Sequence, residues 1–200
     1  MIIPVIGLVL ALSPVLAGGR LGRYADLHIR RAWVLFLALA AQVVVIEVIP
    51  DANHAVLSAV HVATYVAAGL FVWCNRDVPG LWLVALGAAS NGLTIALNGG
   101  TLPASKPALA RAGIVQDQGE FLNSTTLAHP RLGFLGDVFA IPAGWPLANV
   151  FSVGDVLILL GLGWGAHRIC GSRLVPAWRR PDQPDPSPGP ISEGLALEGA

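Results

Sequence analysis

The chain has 200 residues, 54% of them hydrophobic and only 12% charged, and its mean hydropathy is +0.67. Charged residues are about half as frequent as in ordinary soluble domains, so 12 basic and 12 acidic side chains are too few to clothe a water-facing exterior. Because the two signs cancel, no global basic field invites nucleic acid, and two cysteines exclude a disulfide-stapled scaffold or a multi-cysteine zinc site.

These numbers predict an all-α, polytopic membrane protein with about five transmembrane helices and a partly structured external loop. A helix needs about 20 mostly apolar residues to cross about 30 Å of hydrocarbon. Five stretches approach that: 1–17, 32–49, 55–73, 81–97 and 151–169. Turn residues separate the first four and follow the fourth: Gly18-Gly19, Pro50-Asp51-Ala52-Asn53, Asn75 to Gly80, and Asn98-Gly99-Gly100. The first stretch lacks a basic leader and is followed by arginines, so it reads as a retained span, not a cleaved signal.

Orientation follows from the basic residues. Arg20, Arg23, Arg30, Arg31, Arg76, Arg168, Arg173, Arg179 and Arg180 fall on one predicted side, and Lys106, Arg111 and Arg131 on the other. The positive-inside rule makes the first side cytoplasmic. The protein is then a multi-pass resident of the cell membrane, with its N-terminus outside and its C-terminus inside. Trp33, Trp73 and Trp82 fall at predicted inner ends and Trp145 at the outer boundary, as interfacial aromatic belts require. Cys74 and Cys170 lie at inner ends, where free thiols are expected. A membrane domain over 1–170 is followed by a tail, 171–200, whose proline run from Pro181 favours disorder.

The external segment, 98–150, is too long for a passive connector. It contains one predicted short helix, with Ser105 as N-cap and Gly113 as its stop. It ends in an apolar run, 132–142, that is expected to fold back onto the helices.

Carboxylates near hydrocarbon are costly unless partnered. Glu47, Asp137 and Asp155 all approach the predicted outer face. Two carboxylates held together share one proton and serve as base and acid at once, which makes Asp137 and Asp155 a candidate catalytic pair. The competing reading is structural: Ser152-Val153-Gly154-Asp155 fits a capping box that starts the last helix, and Asp137 after Gly136 suits a turn. His54 and His61, one face apart by about 10 Å, are too distant to share a metal, so neither metal nor cofactor is expected.

Two motifs carry a resemblance. Arg131-Leu132-Gly133-Phe134-Leu135-Gly136-Asp137-Val138-Phe139 with Trp145 to Ile158, together with Asn98-Gly99-Gly100-Thr101-Leu102-Pro103, resemble a bacterial family of small membrane proteins described only as a domain of unknown function. Asp137-Val138-Phe139 and Phe151-Ser152-Val153-Gly154-Asp155 are also similar, in order and spacing, to the two catalytic-aspartate motifs of lipoprotein (type II) signal peptidases. Ser152 stands where that motif has Asn, and Asn91-Gly92-Leu93-Thr94 lacks the Asp and Arg of the matching stretch. The resemblance implies an intramembrane aspartyl site at Asp137 and Asp155; Ser152, Asn91, Asn98 and Glu47 are the candidate supporting residues. Set against it is a scaffold that binds a membrane-embedded peptide or protein partner through the external loop.

Overall fold

The computed structural model describes residues 3–43, 54–114 and 124–176. Among the described residues six α-helices dominate: α1 (Ile3–Leu12), α2 (Ala32–Val43), α3 (His54–Cys74), α4 (Leu81–Leu97), α5 (Lys106–Ala112) and α6 (Val153–Cys170). The all-α expectation needs correcting, because two small sheets accompany them. Strands β1 (Leu102–Pro103) and β2 (Ser124–Thr125) pair in parallel, and β3 (Asp137–Ile141) and β4 (Asn149–Ser152) form an antiparallel hairpin. Phe151, expected inside the last span, instead lies in β4, where it faces its register partner Phe139 with ring centroids 5.3 Å apart. The strand persists to Ser152 because that residue, with extended backbone, is the N-cap of α6.

Each helix boundary has a local cause. Pro14 converts the end of α1 into a 3-10 turn over Ser13–Ala17, closed by Gly18 at φ +74°. The short helix α5 lies where its caps place it: the Ser105 side chain accepts from the Ala108 N–H, and Gly113 closes α5 in a left-handed conformation. At the end of α3, Asn75 accepts from the Arg30 N–H (2.7 Å) and donates to the Arg30 (2.9 Å) and Phe71 (2.8 Å) carbonyls. Asn98, ending α4, repeats the pattern with the Arg131 N–H (2.8 Å), the Arg131 carbonyl (2.7 Å) and the Thr94 carbonyl (2.7 Å). In both places one amide side chain acts as a strand edge, fixing an incoming segment to a helix end whose last carbonyls lack intrahelical donors.

Helices α4 and α6 meet through backbone. A Cβ on Gly161 would lie 2.7 Å from the Gly80 carbonyl oxygen and 2.8 Å from the Val84 side chain, and one on Gly165 would strike the Pro79 carbonyl. One on Gly87 would strike the Gly154 carbonyl and lie 2.8 Å from the Ile158 side chain. The helices are antiparallel, since Gly80 faces Gly161 while Gly87 faces Gly154. α1 runs parallel to α6: Leu10 lies beside Gly163, and at their ends Arg20 N–H donates to the Cys170 carbonyl and Arg173 N–H to the Ala17 carbonyl.

The buried core is small and mixes apolar residues (Leu102, Ala108, Leu109, Ala112, Ala166, Val175) with polar ones. Thr94, Ser152 and Ser172 are fully enclosed, as are Gly154, Gly161 and Gly165. Large apolar side chains face outward on every long helix: Leu8, Phe36 (70% exposed), Leu70, Leu86, Leu93 and Leu160, with Leu16 (92%) just beyond α1. Among the described residues one helix, Val153–Cys170, is long and apolar enough to cross a membrane, while apolar helices 3–17 and Leu81–Leu97 are shorter. Beyond α6 the chain turns back, burying Ser172 and Val175. The tail from residue 177 and Glu47 lie outside the described residues.

Candidate functional site

One end of the α4–α6 pair gathers the predicted site residues. Ser152 and Asp155 form a reciprocal capping box: Asp155 N–H donates to Ser152 Oγ (3.0 Å), and Ser152 N–H donates to Asp155 Oδ2 (2.9 Å). Asn91, projecting from α4, completes the cluster. Its Nδ2 donates to Asp155 Oδ1 (3.1 Å), and its Oδ1 accepts from the Ser152 hydroxyl (2.9 Å). Both oxygens of the half-buried carboxylate are thereby engaged, as is the fully buried Ser152 hydroxyl, which burial requires to be paired. Room for the amide comes from Gly154, whose Cβ would strike Asn91 Oδ1.

Asp137 approaches from the other side. It is buried (6% exposed), and its Cα registers against Ser152 across the β3–β4 pair. Its carbonyl accepts from the Ser105 N–H (3.0 Å), and its backbone bridges Ala104. A single residue thus ties β4, the strand leading into α5 and the N-cap of α5 to one point. The predicted aspartates are brought to the same end of α6 through Ser152, with Asp155 held as a cap. Asn98 sits two turns beyond Asn91 on α4 and anchors Arg131 instead of joining the cluster. His54 and His61 lie on α3, where their side chains are outside the described residues. Among the described residues no group of three or more His, Cys, Asp or Glu is placed to hold a metal.

The opposite end of the bundle carries a second polar cluster that sequence reasoning missed. His167 of α6 bridges Ser13 (Nε2 to Oγ, 3.1 Å) and Ser172 (Nδ1 to Oγ, 2.7 Å). Ser13 already donates to the Leu10 carbonyl (2.8 Å) and Ser172 accepts from the Leu174 N–H (3.3 Å). Every hydrogen finds an acceptor when the proton sits on Nε2, an assignment made from the network. Nearby, Tyr24 donates to the Ala11 carbonyl (2.8 Å). Burial, then the adjacent Cys170 thiol, pushes its phenol up to about 12, so it stays protonated and keeps donating. The folding free energy linked to it is complete below pH 10 and is lost as pH rises towards 12. Cys74 and Cys170 are free thiols.

Six arginines collect at this same end. Arg20 and Arg173 flank the α1–α6 junction, Arg30 is held by Asn75, Arg31 Nη1 reaches the Cys74 sulfur (3.6 Å), and Arg76 and Arg168 line a common cavity. The hydroxyl partners of His167, Ser13 and Ser172, both lie outside α6, so no spacing along one helix signals the cluster in the sequence.

Fold and site define a predominantly helical protein with a capped, glycine-packed helix pair and a small β hairpin over one end. The profile of a family of unknown function, DUF5317, matches residues 26–165, and the chain belongs to that family. An uncharacterised protein of Thermotoga maritima is 34% identical over 92 residues, covering 46% of this chain and 52% of the relative. The chain therefore spans about half the length of that curated relative. No solved structure matches it.

Proposed function

We propose that the chain is a multi-pass membrane protein, N-terminus outside and C-terminus cytoplasmic, whose external segment 98–150 is a docking platform for a membrane-embedded peptide or protein. The observation that carries this reading is the outward face of the long helices: leucines and phenylalanines are exposed there, while glycines and the polar residues Thr94, Ser152 and Asn75 are buried beside a small apolar core that includes Leu102, Leu109 and Val175. In water each outward large side chain forgoes about 1.5–3 kcal/mol of burial free energy. In lipid it forgoes nothing, and small residues at helix contacts are what membrane helix pairs use. The collection of six arginines at one end supports the same orientation under the positive-inside rule.

The described parts of this segment, 98–114 and 124–150, are pinned by Asn98 at Arg131, by Asp137 at Ser105 and by Arg111, whose carbonyl accepts from the Ala143 N–H (2.8 Å). From it project Phe134, Phe139, Trp145 and Leu147, all exposed. A surface whose described parts are pinned by hydrogen bonds and carry apolar anchors suits binding, because less ordering entropy is lost when a partner arrives. The protein should resist alkaline extraction from membranes and need detergent to stay monodisperse; a monodisperse species in plain buffer would refute the membrane placement. A photo-crosslinking residue replacing Trp145 should capture a discrete protein in intact membranes, while one replacing Leu16 captures lipid. Lipid alone at both positions would refute docking.

A second reading, an intramembrane aspartyl hydrolase, is favoured by one observation: buried Asp137 lies opposite Ser152, three residues before Asp155. In it one carboxylate would take a proton from water while the other protonates a scissile carbonyl. Asp137→Asn and Asp155→Asn would then each reduce turnover of a membrane-embedded peptide by at least 100-fold with the fold intact. Unchanged processing in Asp137→Asn would dismiss it.

A further inference from the structure

We propose that the arginine-rich end of the bundle binds one anionic phospholipid, its phosphate between Arg76 and Arg168 and one acyl chain along the groove beside α1 and α6. The inference rests on the membrane reading above and adds a ligand class to it. Arg76, Asp77, Pro79, Trp82, Trp164 and Arg168 border a cavity of about 310 Å³ where the α3–α4 turn meets α6. Both guanidiniums are positioned by indoles, Arg76 at 5.2 Å from the Trp73 ring centroid and Arg168 at 6.0 Å from that of Trp164. Neither forms an ion pair among the described residues. A planar guanidinium matches the oxygens of a phosphate with two parallel N–H donors.

Trp164 is shared with a second cavity of about 470 Å³, bordered by Leu10, Val156, Leu159, Leu160, His167 and Leu174. That groove is almost wholly apolar, and from His167 to Val156 it follows α6 for about 16 Å, long enough for most of an acyl chain. A cationic pocket that shares the Trp164 wall with an apolar groove has the polarity of one phospholipid, headgroup at the interface and chain in hydrocarbon. Asp77 opposes the two arginines, leaving one net positive charge at the pocket. This selects a headgroup with a single net negative charge, and basic pockets on the cytoplasmic side are where such headgroups are held.

The test is native mass spectrometry of the full chain in detergent, titrated with phosphatidylglycerol and with phosphatidylcholine of identical acyl chains. One unit of net charge near the surface is expected to give roughly a fivefold preference for phosphatidylglycerol. Arg76→Gln with Arg168→Gln should abolish it, the double lysine variant should keep part of it, and Arg111→Gln at the opposite end should keep all of it. Equal binding of the two lipids, a preference that survives the double glutamine variant, or displacement by millimolar glycerol phosphate would each overturn the proposal. Lack of preference in a detergent-requiring protein overturns the lipid site alone; detergent-independent solubility removes the membrane reading beneath it.

Discussion

Valine in place of Gly87 is expected to cost about 3 kcal/mol or somewhat more, the upper part of the range for overpacked interiors. The reason is what the new atoms would meet. A Cβ at Gly87 strikes the Gly154 carbonyl and lies 2.9 Å from the Ile158 amide nitrogen. Backbone cannot rotate out of the way as a flexible side chain can, so the two helices must separate. Separation would carry Asn91 away from Ser152 and Asp155, so the cap of α6 weakens with the packing. Gly161→Val should behave alike, being 2.7 Å from the Gly80 carbonyl and 2.8 Å from the Val84 backbone nitrogen. Gly69 of α3 is the counter-example: a Cβ there meets nothing within 4 Å. Gly69→Ala should stabilise, by up to about 1 kcal/mol, through helix propensity. Thermal unfolding in one detergent would separate the cases, with the Gly87 midpoint falling by roughly 6–10 °C. A Gly87→Val protein as stable as Gly69→Ala would show that the α4–α6 contact is not close.

Helix positions were legible in the sequence because apolar runs and their breakers are local signals. Leu81–Leu97 matches its predicted bounds, and Ser105 and Gly113 bracket α5 as capping chemistry requires. The capping box at Ser152 and Asp155 was equally readable, since serine at the N-cap with an acid three residues on is a one-turn pattern. The strands were not legible. Asp137–Ile141 and Asn149–Ser152 are five and four residues long, and apolar runs that short do not distinguish strand from helix by periodicity. They are strands because Asp137 is held by Ser105 and Ala104, segments more than thirty residues away. Asn91 illustrates the same limit. Its motif, read as a degraded catalytic stretch, gives no hint that its amide spans Ser152 and Asp155, because that depends on Gly154 and Gly87 bringing two helices together. Long-range partners of single polar residues leave no periodic trace.

Loss of the Ser152 hydroxyl should be the most damaging small change at the candidate site. Ser152→Ala removes the N-cap, typically worth about 1 kcal/mol, and leaves the Asp155 N–H and Asn91 Oδ1 without their partner, at about 1–3 kcal/mol for an enclosed polar group. A combined cost of about 2–4 kcal/mol follows. Asn91→Leu should cost about as much, because it strands the Ser152 hydroxyl and one oxygen of an ionisable side chain at once. The three residues form a closed ring of hydrogen bonds, so the double variant Asn91→Leu with Ser152→Ala should be less destabilised than the sum of the single variants by about 0.5–3 kcal/mol. Additive losses would mean that the ring does not exist as a unit. Asp155→Asn discriminates between the roles proposed for the carboxylate. An asparagine can still accept from the Ser152 N–H through its carbonyl oxygen but then turns its NH2 towards the Asn91 Nδ2 donor, so a purely capping Asp155 predicts a loss of about 1–3 kcal/mol and undiminished partner capture at position 145. A carboxylate that carries chemistry predicts the reverse: a nearly wild-type unfolding midpoint with turnover gone. The two outcomes lie on separate axes, stability and processing, and one variant measured on both decides between them.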